Sequence, residues 1–173
     1  AVLLRAYAYI SSMGSEGLKE AAEISVLNAN YLMMRLKEIR GFELPYARKR
    51  PRKHECVFSA KPLLKETGVR AMDVAKRILD YGMHSPTTYF PLIVDEALMI
   101  EPTESVEKGE LDLFAEVLKK ISAEAYSNPD LVRKAPYNAA VTRLDEVRAS
   151  HPKTMALSWR MHRKRNVLKD AAP

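Results

Sequence analysis

Hydrophobic residues recur at helical spacing from the first residues of the chain. Val2–Met13 form one helical pattern, and Gly14 interrupts it because glycine leaves the helical region easily. Ser15 can cap a second helix, which runs to about Ile39 and ends near Gly41. The first helix begins without a capping residue, so we expect the chain to be cut from a longer protein.

Three short segments with strand-favouring residues follow these two helices. They are Glu55–Ser59, Tyr89–Val94 and Ala97–Ile100. Between the first and second strands, apolar positions from Val74 to Leu79 predict a helix of about three turns, which Gly82 ends.

A long amphipathic helix follows the last strand. Ser105 can cap it, and Leu111, Leu118 and Ile121 mark its apolar stripe. Asn128-Pro129 ends the pattern. Few strands and several helices predict a small α+β layer structure, with a mainly antiparallel sheet and helices on one side.

The composition fits a folded domain with a hydrophobic core. The chain has 173 residues, of which 47% are hydrophobic and 29% charged, and this excludes a disordered polypeptide. The single cysteine, Cys56, excludes an internal disulfide and fits a reducing compartment. No apolar run reaches the roughly 18 residues of a membrane span. We therefore expect a cytoplasmic protein.

Positive charge is concentrated in two runs, within a net charge of +6. The first run comprises Arg48, Lys49, Arg50, Arg52 and Lys53. The second comprises Arg160, His162, Arg163, Lys164, Arg165 and Lys169. Such runs can contact phosphates or acidic proteins, or they can be solvated surface. A nucleic-acid-binding or carrier-binding module without catalysis is therefore an alternative to an enzyme.

The residues do not form a self-contained catalytic or metal site. The sequence has no glycine-rich phosphate loop. Its four histidines do not have metal-ligand spacing with one another or with Cys56. We predict no metal site and no complete active site within this chain.

Two polar stretches nevertheless have the character of a binding surface. In Asp80–Pro91, His84, Thr87, Thr88 and Tyr89 lie between a helix end and a strand start, on a segment stiffened by prolines. In Met99–Ser105, carboxylates gather where a strand ends. The structural alternatives are that His84 interacts with the end of the preceding helix, and that Glu104 and Ser105 cap the next one.

These stretches resemble the decarboxylating glycine dehydrogenases, the P-proteins of the glycine cleavage system. The matching motifs are Gly14-x-Glu16-Gly17-Leu18, Val26-Leu27-Asn28-Ala29-Asn30-Tyr31-Leu32, His54-Glu55-x-Val57-x-Ser59, Asp73-Val74-Ala75-Lys76-Arg77-x-Leu79-Asp80-Tyr81-Gly82-x-His84-x-Pro86-Thr87 and Leu98-Met99-Ile100-Glu101-Pro102-Thr103-Glu104-Ser105. Arg143–Glu146 is similar to the short ending of the second subunit in the two-subunit form. The resemblance covers Ala1 to about Glu146.

The resemblance implies the C-terminal small domain of a fold type I enzyme, similar to aspartate aminotransferase, that uses pyridoxal phosphate. In that family glycine loses carbon dioxide, and the aminomethyl group passes to the lipoyl arm of the carrier H-protein. The cofactor serves as an electron sink. The family's Schiff-base lysine lies in a His-Lys pair, and no such pair occurs here. The resemblance therefore implies that the catalytic lysine lies upstream and that no catalytic residue is in this chain.

The residue patterns and the resemblance together predict a division of the chain and a set of site residues. We predict a helical inter-domain connector over residues 1–40, a small domain over 41–128, and a C-terminal wrap with a basic tail over 129–173. Expected partners are the upstream cofactor domain, glycine dehydrogenase subunit 1 and lipoylated H-protein. Residues predicted near substrate or cofactor are His84, Thr87, Thr88 and Tyr89; residues predicted to dock the carrier are Arg48, Lys49, Arg50, Arg52 and Lys53.

Overall fold

The computed structural model describes residues 1–46, 50–155 and 158–163. Helix α1 spans Val2–Leu36 and is interrupted at Gly14, whose φ of 63° and ψ of −174° are not helical. The predicted break between two helices is therefore confirmed. The helix ends at Leu36, before the predicted Ile39, and Gly41 occupies the left-handed region in the turn that follows.

Within the described residues, the sheet has three antiparallel strands in the order β1-β3-β2. Strand β1 is Cys56–Ser59, β2 is Thr87–Thr88 and β3 is Ala97–Ile100. The predictions for β1 and β3 are confirmed to within a residue. The predicted strand Tyr89–Val94 is wrong, because Tyr89 turns out of the sheet with a φ of 57°.

In the described part of the chain, four helices after α1 contribute buried residues to the same core as the sheet. They are α2 (Lys61–Thr67), α3 (Ala71–Asp80), α4 (Lys108–Ser127) and α5 (Pro129–Arg133). The sequence patterns predicted α3 and α4 but missed α2 and α5, which have seven and five residues and are too short for a clear periodicity.

The start of α4 differs from the prediction. Its N-cap is Glu107, whose side chain forms a capping box with Glu110, so Ser105 and Glu104 are not its caps. The C-cap is Asn128, as the Asn128-Pro129 pair predicted. Glu101 and Glu104 thus lie in the loop between β3 and α4, outside the helix.

The hydrophobic core joins the sheet to helices α1 to α5. Its largest fully buried side chains include Phe58 and Leu98 from the sheet, Leu32 and Leu36 from α1, Leu63 from α2, Ile78 from α3, and Leu118 and Ile121 from α4. Val132 of α5 and Ala135 are buried as well. The sequence-derived stripe of α4 therefore faces this core, and the predicted α+β class is confirmed.

The chain divides into two compact units, residues Ala1–Ala139 and Ala140–Pro173. The second unit contains α6 (Glu146–Ser150) and α7 (Pro152–Met155). Helix α6 is capped by Asp145, whose carboxylate accepts a hydrogen bond from the Arg148 amide at 3.0 Å. The second half of the C-terminal basic run, residues 164–169, lies outside the described residues. The three-part division at residues 40 and 128 stays a prediction.

Candidate functional site

An open groove of about 440 Å³ lies between the end of α3, the end of β3 and the first turns of α4. Its apolar lining includes Leu32, Met83, Ile100, Leu113 and Phe114, and its polar lining includes His84, Glu101 and Glu110. Both stretches that the sequence singled out therefore meet at one place. Sequence patterns alone did not indicate that α4 supplies the opposite wall.

His84 is an exposed residue just beyond the end of α3. The helix ends at Asp80, and Gly82 with a φ of 74° turns the chain toward the groove. His84 therefore lies near the negative end of the α3 dipole and also lines the groove. Its position is compatible with the binding role and with the structural alternative.

Thr87, Thr88 and Tyr89 follow His84 along the edge of the sheet. Thr87 pairs with Met99 and Thr88 with Leu98. The Tyr89 amide then donates a hydrogen bond to the Ala97 carbonyl at 2.9 Å. Of the four residues predicted near substrate, His84 lines the groove, whereas the other three lie on β2 and at its end.

A network of charged side chains supports the α3 side of the groove. The Arg77 guanidinium donates hydrogen bonds to both Glu124 oxygens, at 2.8 and 2.9 Å, and the Tyr81 hydroxyl donates to Glu124 at 2.6 Å. Burial raises the pKa of Glu124, but these hydrogen bonds outweigh it and hold the pKa below its ordinary value. The network fixes the position of Tyr81, which lines the groove.

Asp80 extends this network to the segment after α5. Its carboxylate accepts hydrogen bonds from the backbone amides of Tyr137 and Asn138, at 2.6 and 2.8 Å, and from Arg77 at 3.0 Å. Burial raises the pKa of Asp80, but these three donors hold it below its ordinary value. Asp80 therefore stabilises residues 137–138 against the end of α3.

The β3–α4 loop is held in place by an asparagine on α1. The Asn28 side-chain amide donates hydrogen bonds to the carbonyls of Thr103 and Val106, at 2.9 and 3.1 Å. In the same loop, the Glu104 carboxylate accepts hydrogen bonds from Tyr9 and Ser25, at 3.4 and 3.3 Å. Asn28 thus positions the loop that forms one wall of the groove, a role that the sequence analysis missed.

A second asparagine of α1 holds the basic run in the same way. The side-chain oxygen of Asn30 accepts a hydrogen bond from the backbone amide of Arg52 at 2.7 Å. The side-chain amide of Asn30 donates to the backbone carbonyl of Arg52 at 2.8 Å. Arg50 and Lys53 are exposed, whereas Arg52 is half-buried. Arg48 and Lys49 lie outside the described residues. The two asparagines of the Asn28-Ala29-Asn30 motif therefore fasten two separate loops to one helix.

A second groove, of about 530 Å³, lies between the end of α1 and α4. The Arg40 guanidinium stacks over the Tyr126 ring at 3.7 Å and lies 3.1 Å from the Glu66 carboxylate. Arg35 lies 3.5 Å from the Asp112 carboxylate. Both arginines are paired with carboxylates, so this groove has the character of a packing surface and not of an anion site.

The described residues contain no group of three or more potential ligands that could hold a metal ion. Among the helices in the described ranges, none has both the length and the hydropathy needed to cross a membrane. Cys56 is buried in β1, and burial raises the pKa of its thiol to about 12, so the reactive thiolate form is disfavoured in the folded chain.

The residues around the His84 groove do not fit pyridoxal phosphate. A lysine amine is needed to bind the cofactor aldehyde, and cations or backbone amides to bind its phosphate. The charged side chains that line this groove are the carboxylates Glu101 and Glu110, with His84 beside them. Carboxylates repel a phosphate, so this groove alone does not form the cofactor site.

The fold is shared with a solved structure described as glycine decarboxylase (P-protein) of the glycine cleavage system, in inhibitor-bound form. The TM-score is 0.55 with 25% sequence identity, over 65% of this chain and 24% of that chain. The architecture is thus that of the C-terminal small domain of a fold type I pyridoxal-phosphate enzyme, as the motifs predicted.

Sequence comparisons define the family within this class. Residues 21–140 match the family model of the glycine dehydrogenase C-terminal domain, so the chain belongs to that family. Proteins named probable glycine dehydrogenase (decarboxylating) subunit 2 are 62% identical in Thermococcus onnurineus, 60% in Pyrococcus horikoshii and 53% in Aeropyrum pernix. The matches cover 94%, 94% and 92% of this chain, but only 32%, 32% and 31% of the relatives. The chain therefore spans about a third of the length of these proteins.

Proposed function

We propose that this chain is the C-terminal part of a glycine decarboxylase that releases carbon dioxide from glycine and passes the aminomethyl group to the lipoyl arm of H-protein. The observation that carries this proposal is the 62% identity, over 94% of the chain, to a protein named glycine dehydrogenase subunit 2. Membership of the C-terminal domain family supports it, and neither comparison favours a nucleic-acid-binding module.

The chain alone is inactive under this proposal, because the cofactor and its lysine belong to the preceding part of the polypeptide. Bound pyridoxal phosphate stabilises the carbanion that decarboxylation leaves on glycine. The carboxylates of the His84 groove support this assignment, since they disfavour a phosphate there. The other partners are glycine dehydrogenase subunit 1 and H-protein, in the cytoplasm.

The decisive experiment measures carbon dioxide release from carboxyl-labelled glycine. The intact polypeptide is assayed with subunit 1, pyridoxal phosphate and lipoylated H-protein, and each component is omitted in turn. We expect release only in the complete mixture and none from residues 1–173 alone. Absence of release from the complete mixture, with folded subunits and bound cofactor, contradicts the proposed function.

Cofactor retention provides a separate test of where the lysine lies. After incubation with pyridoxal phosphate and dialysis, we expect the intact polypeptide to keep a visible absorbance band and residues 1–173 to keep none. A band retained by residues 1–173 and abolished by Lys76→Ala would place the lysine in this chain, against the proposal. Lys119→Ala, on the exposed side of α4, is the matched control.

The segment from His84 to Tyr89 faces the preceding domain and contributes to the substrate cavity under this proposal. Its support is the exposure of His84 at the groove and the stiff edge strand that follows. In the intact enzyme, His84→Ala should lower kcat strongly and change the melting temperature only slightly. A large loss of thermal stability with near-normal kcat would instead favour the interaction of His84 with the α3 dipole.

The first basic run, between residues 48 and 53, steers the acidic carrier protein toward the enzyme under this proposal. Asn30 holds the backbone of Arg52, and Arg50 and Lys53 are exposed on either side. Charge steering acts on association and is screened beyond roughly 8 Å at physiological salt. Reversing the charge of Arg50 and Lys53 should raise the KM for the carrier, weaken its salt dependence and leave the KM for glycine unchanged.

Two lysines of α4, Lys119 and Lys120, provide the matched control for this charge reversal, because both are exposed and the net charge changes equally. If both double variants behave alike, the basic run has no specific role.

The proposal also includes a division of the chain into three parts. These are an inter-domain connector over residues 1–40, the small domain over 41–128 and the C-terminal wrap over 129–173.

A further inference from the structure

Residues 89–93 form an apolar tip on the loop that joins β2 to β3, and we call them the apolar tongue. Three of its large side chains are solvent-exposed: Phe90 by 53%, Leu92 by 87% and Ile93 by 74%. The tongue has no charged residue. Exposed apolar side chains that lie together mark interaction sites on folded proteins, whereas single ones are common.

The base of this loop is tightly held. The Ser59 hydroxyl donates a hydrogen bond to the Asp95 carbonyl at 2.7 Å, and the Ala60 amide donates to the Glu96 carbonyl at 2.9 Å. The Glu96 carboxylate accepts a hydrogen bond from the Ala71 amide at the start of α3, at 2.7 Å. These three contacts connect the loop to the end of β1 and to α3, so the tongue projects from a rigid base.

Two residues of the loop are in the left-handed region although neither is glycine. Tyr89 has a φ of 57° and Glu96 a φ of 51°. Such conformations are strained for residues that carry a Cβ, and they persist only where surrounding contacts require them. The loop therefore keeps a shape that exposes its apolar side chains, where a relaxed loop could bury them. A preformed shape lowers the conformational entropy lost on binding.

The size of the tongue indicates what kind of partner it fits. A stable complex between free proteins buries about 1,200–2,000 Å². Phe90 can bury at most about 150–250 Å², the range for an aromatic side chain, and Leu92 and Ile93 are smaller. Three side chains are therefore too few for a free partner, but they suffice for one in the same polypeptide, where the effective concentration reaches the millimolar range.

We propose that the apolar tongue docks into an apolar recess on the preceding part of the same polypeptide. The relatives supply such a tethered partner, since this chain covers 32% of their length and matches a C-terminal domain. The tongue follows β2 directly and begins at Tyr89, the last residue of the segment that faces the preceding domain under the proposed function. The proposal rests on that function only for the presence of a preceding domain.

Thiol labelling of the intact polypeptide tests this docking. Leu92→Cys is compared with Val147→Cys, which lies on α6 and is 78% exposed. Rates of reaction with N-ethylmaleimide are measured on the peptides that contain these positions, so other cysteines do not interfere. We expect Leu92→Cys to react at least about tenfold more slowly, because labelling then requires local opening. Equal rates would overturn the proposal.

Further measurements check the protection and identify the occupant. Ile93→Cys repeats the test at a neighbouring position and must be protected as well. Protection that disappears on dilution indicates a second copy, and protection that requires added H-protein indicates the carrier; either result overturns the proposal. Glycine decarboxylation is assayed on the same samples. A protected tongue in a protein without that activity keeps this proposal and removes the proposed function.

Discussion

Asn28 offers the sharpest test of how α1 shapes the groove. Its amide donates hydrogen bonds to the carbonyls of Thr103 and Val106, at 2.9 and 3.1 Å, and both bonds are lost in Asn28→Ala. Because Asn28 is half-buried, water replaces these bonds only in part. The substitution therefore loosens the β3–α4 loop without touching the sheet or the hydrophobic core.

The magnitude follows from two opposing effects. Each neutral hydrogen bond contributes about 1 kcal/mol to stability, so losing two costs about 2 kcal/mol. Alanine has a higher helix propensity than asparagine, which stabilises α1 by up to about 0.7 kcal/mol. The net loss is about 1–1.5 kcal/mol, which lowers the melting temperature of a chain of this size by about 3–5 °C.

Asn30→Ala is the matched control because it makes the same residue change on the same helix. It removes two hydrogen bonds to the backbone of Arg52, at 2.7 and 2.8 Å. Hydrogen exchange should then separate the two variants. Asn28→Ala should speed exchange in residues 101–106 by about tenfold, and Asn30→Ala should do so in residues 50–54.

Asn28→Asp sharpens the test further. It removes the donors without the gain in helix propensity and places a carboxylate against two carbonyl oxygens, so it should be less stable than Asn28→Ala. The reasoning is refuted if Asn28→Ala shifts the melting temperature by less than about 1 °C. It is equally refuted if both asparagine variants speed exchange in the same residues.

Three further predictions concern glycines, the thiol and pH. Gly41→Ala should cost about 1–3 kcal/mol in urea denaturation, since φ is 88° and the new Cβ would lie 2.6 Å from a leucine side chain; Gly109→Ala, with open space around it, should be neutral or stabilising. Cys56 should resist N-ethylmaleimide until the chain unfolds, and rapid labelling of native protein would contradict its burial. Folding lowers the pKa values of Asp80 and Glu124. Their ionised carboxylates therefore stabilise the fold at neutral pH, and this stabilisation is lost as the pH falls through the lowered pKa values. The melting temperatures of wild type and Asp80→Asn should therefore converge as the pH is lowered. A constant difference between the two melting temperatures at every pH would contradict this role of Asp80.

Local patterns in the sequence determined much of the fold. The helical period and Gly14 predicted α1 and its break, because a glycine without a Cβ tolerates a φ of 63°. Strand-favouring residues predicted β1 and β3. The apolar stripe of α4 predicted which face enters the core. Each of these features depends on residues close together in the chain, so the sequence carries the signal directly.

The order of the motifs along the chain also determined the family. The stretch Asp73–Thr87 and the stretch Leu98–Ser105 contain polar residues and prolines in an arrangement that packing alone does not require. The comparisons with known proteins confirmed the glycine dehydrogenase C-terminal domain over residues 21–140. The roles of His84, Thr87, Thr88 and Tyr89 stay predictions.

Only the tertiary structure decided where the strands end and how the site is supported. Tyr89–Val94 is rich in strand-favouring residues, yet Tyr89 leaves the sheet with a φ of 57°. Hydrogen bonds from Ser59 and Ala71 to Asp95 and Glu96 hold the other end of the resulting loop. Likewise, Asn28 contacts a loop far along the sequence, and no local periodicity records such a contact. Long-range hydrogen bonds depend on how the packed elements are oriented, and that orientation arises only when the core forms.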